Sequence, residues 1–197
     1  MIKDIKETQY IEQFLKLNRN RYFTSPSNLE SFDWSLTFRY IKDKFDETSV
    51  FDFRFNFFKI KLHAKKLPTQ DNLCKRSPSV YTSSWRCALC NTDLETYQHL
   101  WSYSAMQNTR AEIVHNSKLI ILFIQDKVNI DHNDIFTNID NLDCWNSSNI
   151  EILCLVKGII PKSFSKFLKE LKIPEQNIYK IMKEVIDTLV LQFKHLI

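Results

Sequence analysis

A single glycine, Gly158, occurs in the whole 197-residue chain, and that scarcity constrains the fold more than any other feature. Tight β-hairpins need Gly, or Asn in its place, at positive φ. Dinucleotide and P-loop phosphate sites need several glycines for close approach of the backbone, so both are excluded. A chain rich in Leu, Ile, Lys and Phe with almost no Gly builds helices instead.

The apolar spacing places those helices. Ile2, Ile5, Tyr10, Ile11, Phe14 and Leu15 form a stripe at helical period. Residues 18–31, with Pro26 between serines, read as a loop. Asp33 is an N-cap for a helix through Trp34, Leu36, Phe38 and Ile41. From Thr48 the phenylalanines at 51, 53, 55 and 57 alternate like a strand. Phe51, Phe55, Phe58 and Leu62 also fit a helix, and the segment exceeds an average strand, so a helix ending before Pro68 is expected. Thr69 suits the N-cap of a short helix over Leu73 to Arg76, and Thr92 or Asp93 that of a helix carrying His99. A longer helix should run from Met106 to Asp126. Residues 127–147 are Asn/Asp-rich, irregular, and the best candidate for a subdomain boundary. Ser148 caps a helix that Gly158 stops, and Pro161 and Pro174 open the last two. The expected division is an N-terminal helical flank 1–47, a central region 48–126 and a C-terminal helical region 127–197.

The central region contains the most informative motif. Cys87 and Cys90 are spaced Cys-x2-Cys, so one tight turn can aim two thiolates at a single ion, and His99 follows on a short helix able to return an imidazole there. Zinc prefers four tetrahedral S/N ligands, and these residues supply three. The next Cys or His is missing: the chain reads Ser102, Tyr103, Ser104. Spacing alone leaves two readings open, a metal site or two ordinary buried thiols. A thioredoxin-like redox pair would follow a strand in a βαβ pattern, and none is visible. The fold expected is therefore mainly α, a helical domain with an embedded zinc-knuckle-like turn and no sizeable sheet.

Charge and cysteine usage narrow the setting. The net charge is only +4, but from Arg54 to Arg86 the charged residues are Arg54, Lys59, Lys61, Lys65, Lys66, Lys75, Arg76 and Arg86 against Asp71 alone. A basic segment beside a knuckle suits phosphates, although a charge run by itself is more often a solvated helix face. Five cysteines at irregular spacing are no secreted disulfide framework. Met1 to Arg21 is charged throughout and does not read as a signal peptide, and no apolar run reaches membrane-spanning length. An intracellular, soluble protein with no membrane partner and no evident small-molecule substrate is expected.

The order of features from Phe55 to Trp101 resembles the reverse-transcriptase zinc-binding domain of LINE-type retroelements, in a degenerate or partial copy. Its pieces are the aromatic-rich helix, Leu67-Pro68-Thr69, Leu73, Lys75-Arg76, Cys87-Ala-Leu-Cys90, Glu95 and His99-Leu100-Trp101. Phe32 to Phe38 and Gly158 to Ser163 look like flanking pieces of the same family. The resemblance implies a zinc ion on Cys87, Cys90 and His99, with Tyr103 where this branch of the family has Cys. Three outcomes are open: a three-ligand site, a substitute ligand (Cys74, His63 or His115), or a relic without metal. The function expected is a retroelement-derived zinc-knuckle module that binds RNA or DNA weakly and catalyses nothing. Lys59, Lys61, Lys65, Lys66, Lys75, Arg76 and Arg86 would meet phosphates, and Trp85, Trp101 or Tyr81 would be available for stacking, although Trp101 fits core packing better. The polymerase's paired metal-binding aspartates are missing, as the chain has no Asp-Asp dipeptide. The alternative is a helical structural or protein-interaction relic whose metal site is lost.

Overall fold

The computed structural model describes residues 2–16, 29–43, 50–82, 84–125, 138–145, 150–171 and 173–196. Among them the regular elements are all helices: α1 (Ile2–Lys16), α2 (Trp34–Lys42), α3 (Val50–His63), α4 (Gln70–Arg76), α5 (Tyr97–Ser102), α6 (Gln107–Gln125), α7 (Ile150–Val156), α8 (Lys162–Glu170) and α9 (Glu175–Leu196). Short 3-10 turns cover Ser104–Met106 and Asp143–Trp145. The only β pairing among the described residues is an isolated bridge between Phe32 and Pro161. The mainly α expectation holds. No helix among the described residues is long and apolar enough to cross a membrane.

The chain divides into two compact units, Met1–Lys44 with Val114–Leu191, and Phe45–Ile113 with Gln192–Ile197. In the first, Asp33 caps α2 as its sequence position predicts, its side chain accepting from the Leu36 amide at 3.1 Å. That cap orients an aromatic cluster: Trp34 meets Phe14 edge-on at 5.5 Å and stacks with Phe38 at 5.8 Å, over Phe32, Cys154 and Ile159. Gly158 stops α7 at φ +72°, a left-handed conformation that glycine adopts without steric cost. The chain returns beside α2, where the Ile160 amide donates to the buried Thr37 hydroxyl at 2.9 Å and the Asp33 amide to the Ile160 carbonyl at 2.8 Å. Tyr40 lies so close to Gly158 that an added Cβ would sit 2.2 Å from its ring. The Tyr40 hydroxyl donates to Asp187 at 2.7 Å, and Tyr179 and Lys183 both donate to Asp43 at 2.8 Å, joining the end of α2 to α9.

The second unit carries the motif. In α3, Phe55 and Leu62 are buried while Phe53, Phe57 and Ile60 are exposed, so the helical period wins over the strand-like alternation. The helix stops at His63, ahead of Pro68, where Lys65 adopts φ +51° and the Lys66 amide bonds back to the Lys61 carbonyl at 2.7 Å. Thr69 does occupy the N-cap of α4, but its side chain makes no capping bond; its hydroxyl accepts from Asn72, whose amide also donates to the Lys65 and Leu67 carbonyls. A second correction concerns α5: its N-cap is Thr96, whose hydroxyl accepts from the His99 amide at 3.0 Å, rather than Thr92 or Asp93. Thr48, Ser148 and most of the 127–147 stretch lie outside the described residues.

Candidate metal centre

The turn between the two cysteines closes with an amide–carbonyl bond from Asn91 to Cys87 at 2.8 Å. Asn91 sits at φ +60°, and Asn is among the few non-glycine residues that enter this region readily. The Cys87 amide in turn donates to the Asp93 carbonyl at 2.7 Å, folding the following strand of chain back across the turn. Cys87 is buried and Cys90 half-buried. Thr92 donates its hydroxyl to the Cys90 sulfur at 3.3 Å, and the Asp93 amide donates to it at 3.5 Å. These donors favour the thiolate and bring the Cys90 thiol down from 9.0 to about 6, the Thr92 bond contributing most.

The imidazole arrives from α5. Trp101, on the same helix, is 1% exposed and packs on Phe193 at 5.4 Å; Tyr97 meets Phe193 edge-on at 5.5 Å. With that side anchored, His99 projects toward the cysteines, its Nε2 lying 3.4 Å from the Cys90 sulfur. The Cys87 and Cys90 sulfurs and the His99 ring nitrogen all lie within 4.8 Å of one another. A tetrahedral zinc ion with bonds of about 2.0–2.3 Å sets its S–N and S–S edges at roughly 3.5–3.8 Å. The Cys90–His99 separation is close to that edge, and two thiols and an imidazole gathered within 4.8 Å around a turn are a donor set that fits zinc.

Residues 32–109 match the family described as zinc-binding in reverse transcriptase, zf-RVT. No curated protein matches the chain, and no solved structure does. The zf-RVT match spans α2 to the start of α6 and includes all three metal-ligand candidates.

Nothing among the described residues adds a fourth His, Cys, Asp or Glu to the zf-RVT cluster. Of the proposed substitutes, Cys74 turns its sulfur to the Thr82 carbonyl at 3.3 Å, and neither His63 nor His115 joins the group. Tyr103 does reach the knuckle, but through its hydroxyl, which donates to the Leu89 carbonyl at 2.8 Å. Its own carbonyl accepts from the Arg110 guanidinium, a largely buried group whose pKa burial lowers. Arg110, Thr92, Thr96 and Asn91 support the site, and sequence reading assigned none of them these roles. Asn91 carried the one recoverable signal, an Asn directly after the second cysteine of a tight turn.

The basic residues differ in exposure and in their partners. Lys66, Lys75, Arg76 and Arg86 are exposed; Lys59, Lys61 and Lys65 are half-buried. Lys75 pairs with Asp71 at 2.8 Å, Arg76 donates to the Lys66 carbonyl at 3.1 Å, and Lys59 and Lys61 lie over the Phe55 and Phe57 rings at 5.5 and 4.4 Å. Trp85 is half exposed, edge-on to Tyr81 at 5.5 Å and next in sequence to Arg86, whereas Trp101 is core.

Proposed function

We propose that the chain is a zinc-knuckle module of LINE-type retroelement origin that holds single-stranded nucleic acid and carries out no chemistry of its own. The observation carrying this reading is the convergence of Cys87, Cys90 and His99 within a zf-RVT match. Zinc, when bound, would cross-link the cysteine turn to α5. The residues of this chain then do the rest. Thr92 and the Asp93 amide hold the Cys90 thiolate in place, and Thr96 and the buried Trp101 fix the histidine. Trp85 offers an exposed indole face for a base, with Arg86, Lys66 and Arg76 at the surface for phosphates. Phosphate contacts of this kind are indifferent to sequence and weaken steeply with salt.

Anisotropy titrations of labelled single-stranded RNA, single-stranded DNA and duplex at several salt concentrations test this. Modest affinity, a strong salt slope and preference for single strands are expected. Trp85→Ala should cost about 1–3 kcal/mol if one base stacks there. Changing Lys65, Lys66, Lys75 and Arg76 together to Gln should flatten the salt slope while the helical signal stays intact. The second reading, a helical protein-interaction relic, draws on Phe53, Phe57 and Ile60, which expose half or more of their surface along one face of α3. Folded, metal-free protein with no nucleic-acid affinity at low salt would favour it.

A further inference from the structure

We propose that a metal ion on Cys87, Cys90 and His99 keeps one exchangeable coordination position, open to a monodentate thiolate or imidazole from outside the chain, with Tyr103 bracing the site without ligating. The inference rests on the zinc reading above and deepens it. Zinc with three protein ligands is the arrangement of open sites, whereas closed structural sites use four. Here three donors converge and no fourth His, Cys, Asp or Glu among the described residues joins them.

Tyr103 occupies the place where a fourth ligand would come, directly after α5, and its geometry shows a different task. Its amide donates to the His99 carbonyl at 2.9 Å, its ring centre is 5.8 Å from the His99 ring, and Arg110 grips its carbonyl. The hydroxyl is engaged with the Leu89 carbonyl, and a tyrosine oxygen is not among the donors zinc ordinarily takes. The bond nevertheless ties the end of α5 to a residue between the two cysteines. It closes the same loop that a fourth metal–protein bond would close. The knuckle is thus held together by an oxygen-to-carbonyl link, and the ion's fourth bond is left to an outside donor. Leu89 is exposed and Tyr103 half-buried, so such a donor has a way in from solvent. Borderline zinc in a thiolate-rich site takes soft or borderline donors best, which selects a thiolate or imidazole over a carboxylate.

Cobalt(II) loaded into the full chain reads coordination directly through its visible bands. Adding imidazole, and separately a small monothiol, should shift and intensify those bands saturably. Tyr103→Phe should retain that response, since the phenol is not a ligand. Tyr103→Cys should show stronger sulfur-to-cobalt bands at the outset and lose the response, because the added thiolate fills the position. Tetrahedral cobalt whose bands neither donor moves would overturn the inference while leaving the zinc reading intact. Failure to take up any cobalt would overturn both.

Discussion

Replacing Cys90 with Ser removes a sulfur to which the Thr92 hydroxyl and the Asp93 amide both donate. The Cys90→Ser and Cys87→Ser proteins are each expected to lose bound zinc, measured as metal per chain after purification without chelator. Intact structural zinc sites contribute on the order of 10 kcal/mol of apparent binding energy, so the loss should also remove any zinc-dependent rise in melting temperature. Gly158→Ala tests a different residue-scale constraint. Alanine at positive φ costs about 1–2 kcal/mol, and here its Cβ would also press on the Tyr40 ring, which is packed and hydrogen-bonded to Asp187. A urea midpoint lowered by at least about 2 kcal/mol equivalent is expected. At this scale the ligand types were readable because Cys-x2-Cys and a following His depend only on local chain geometry. Arg110 was not, since its grip on Tyr103 depends on where α6 begins, and nothing in the motif encodes that.

Between elements, the contact of α2 with α9 makes stability pH-dependent on the alkaline side. Burial, then the charge of Asp187, holds the Tyr40 phenol well above its ordinary 10.0; burial, then the bond to Asp43, raises Tyr179 also. The folded chain therefore keeps protons that the unfolded chain releases near pH 10. Their stabilisation is complete below that pH and is lost as pH climbs above it. Chemical denaturation from pH 8 to 11 should show stability falling above about pH 10, with the fall reduced in Tyr40→Phe. That variant should also lose about 1.5–3 kcal/mol at neutral pH, since its hydroxyl donates to a charged acceptor. Neither pair was visible in the sequence, because Tyr40 and Asp187 are distant partners that only the packed helices bring together. The helices themselves were legible. Asp33 as cap, Gly158 as stop and the Phe55–Leu62 stripe each follow from local sterics and period. The cap of the histidine helix was misplaced because the helix starts only at Tyr97, leaving Thr96 as its cap while the Thr92 hydroxyl turns to the Cys90 sulfur and the Asp93 carboxylate.

Over the whole molecule, the zf-RVT match and the compact units do not coincide. Residues 32–44 of the match belong to the first unit, and the second draws its remaining piece from Gln192–Ile197. Phe193 is fully buried against Trp101 and Tyr97, the residues that anchor the histidine helix. Phe193→Ala should cost about 3–5 kcal/mol by urea denaturation and weaken zinc affinity, although it touches none of the ligands. A fragment of residues 32–109 lacks that ring altogether and should hold zinc more weakly than the full chain in a competition titration with a chromophoric chelator. The same packing imposes a timetable on synthesis. The cysteines and the histidine leave the ribosome well before Phe193, the residue that seats Trp101. Until then the knuckle is a set of reactive thiols on an incomplete scaffold, so a nascent chain stalled before Phe193 would offer Cys87 and Cys90 to oxidants and alkylating agents that the folded chain resists.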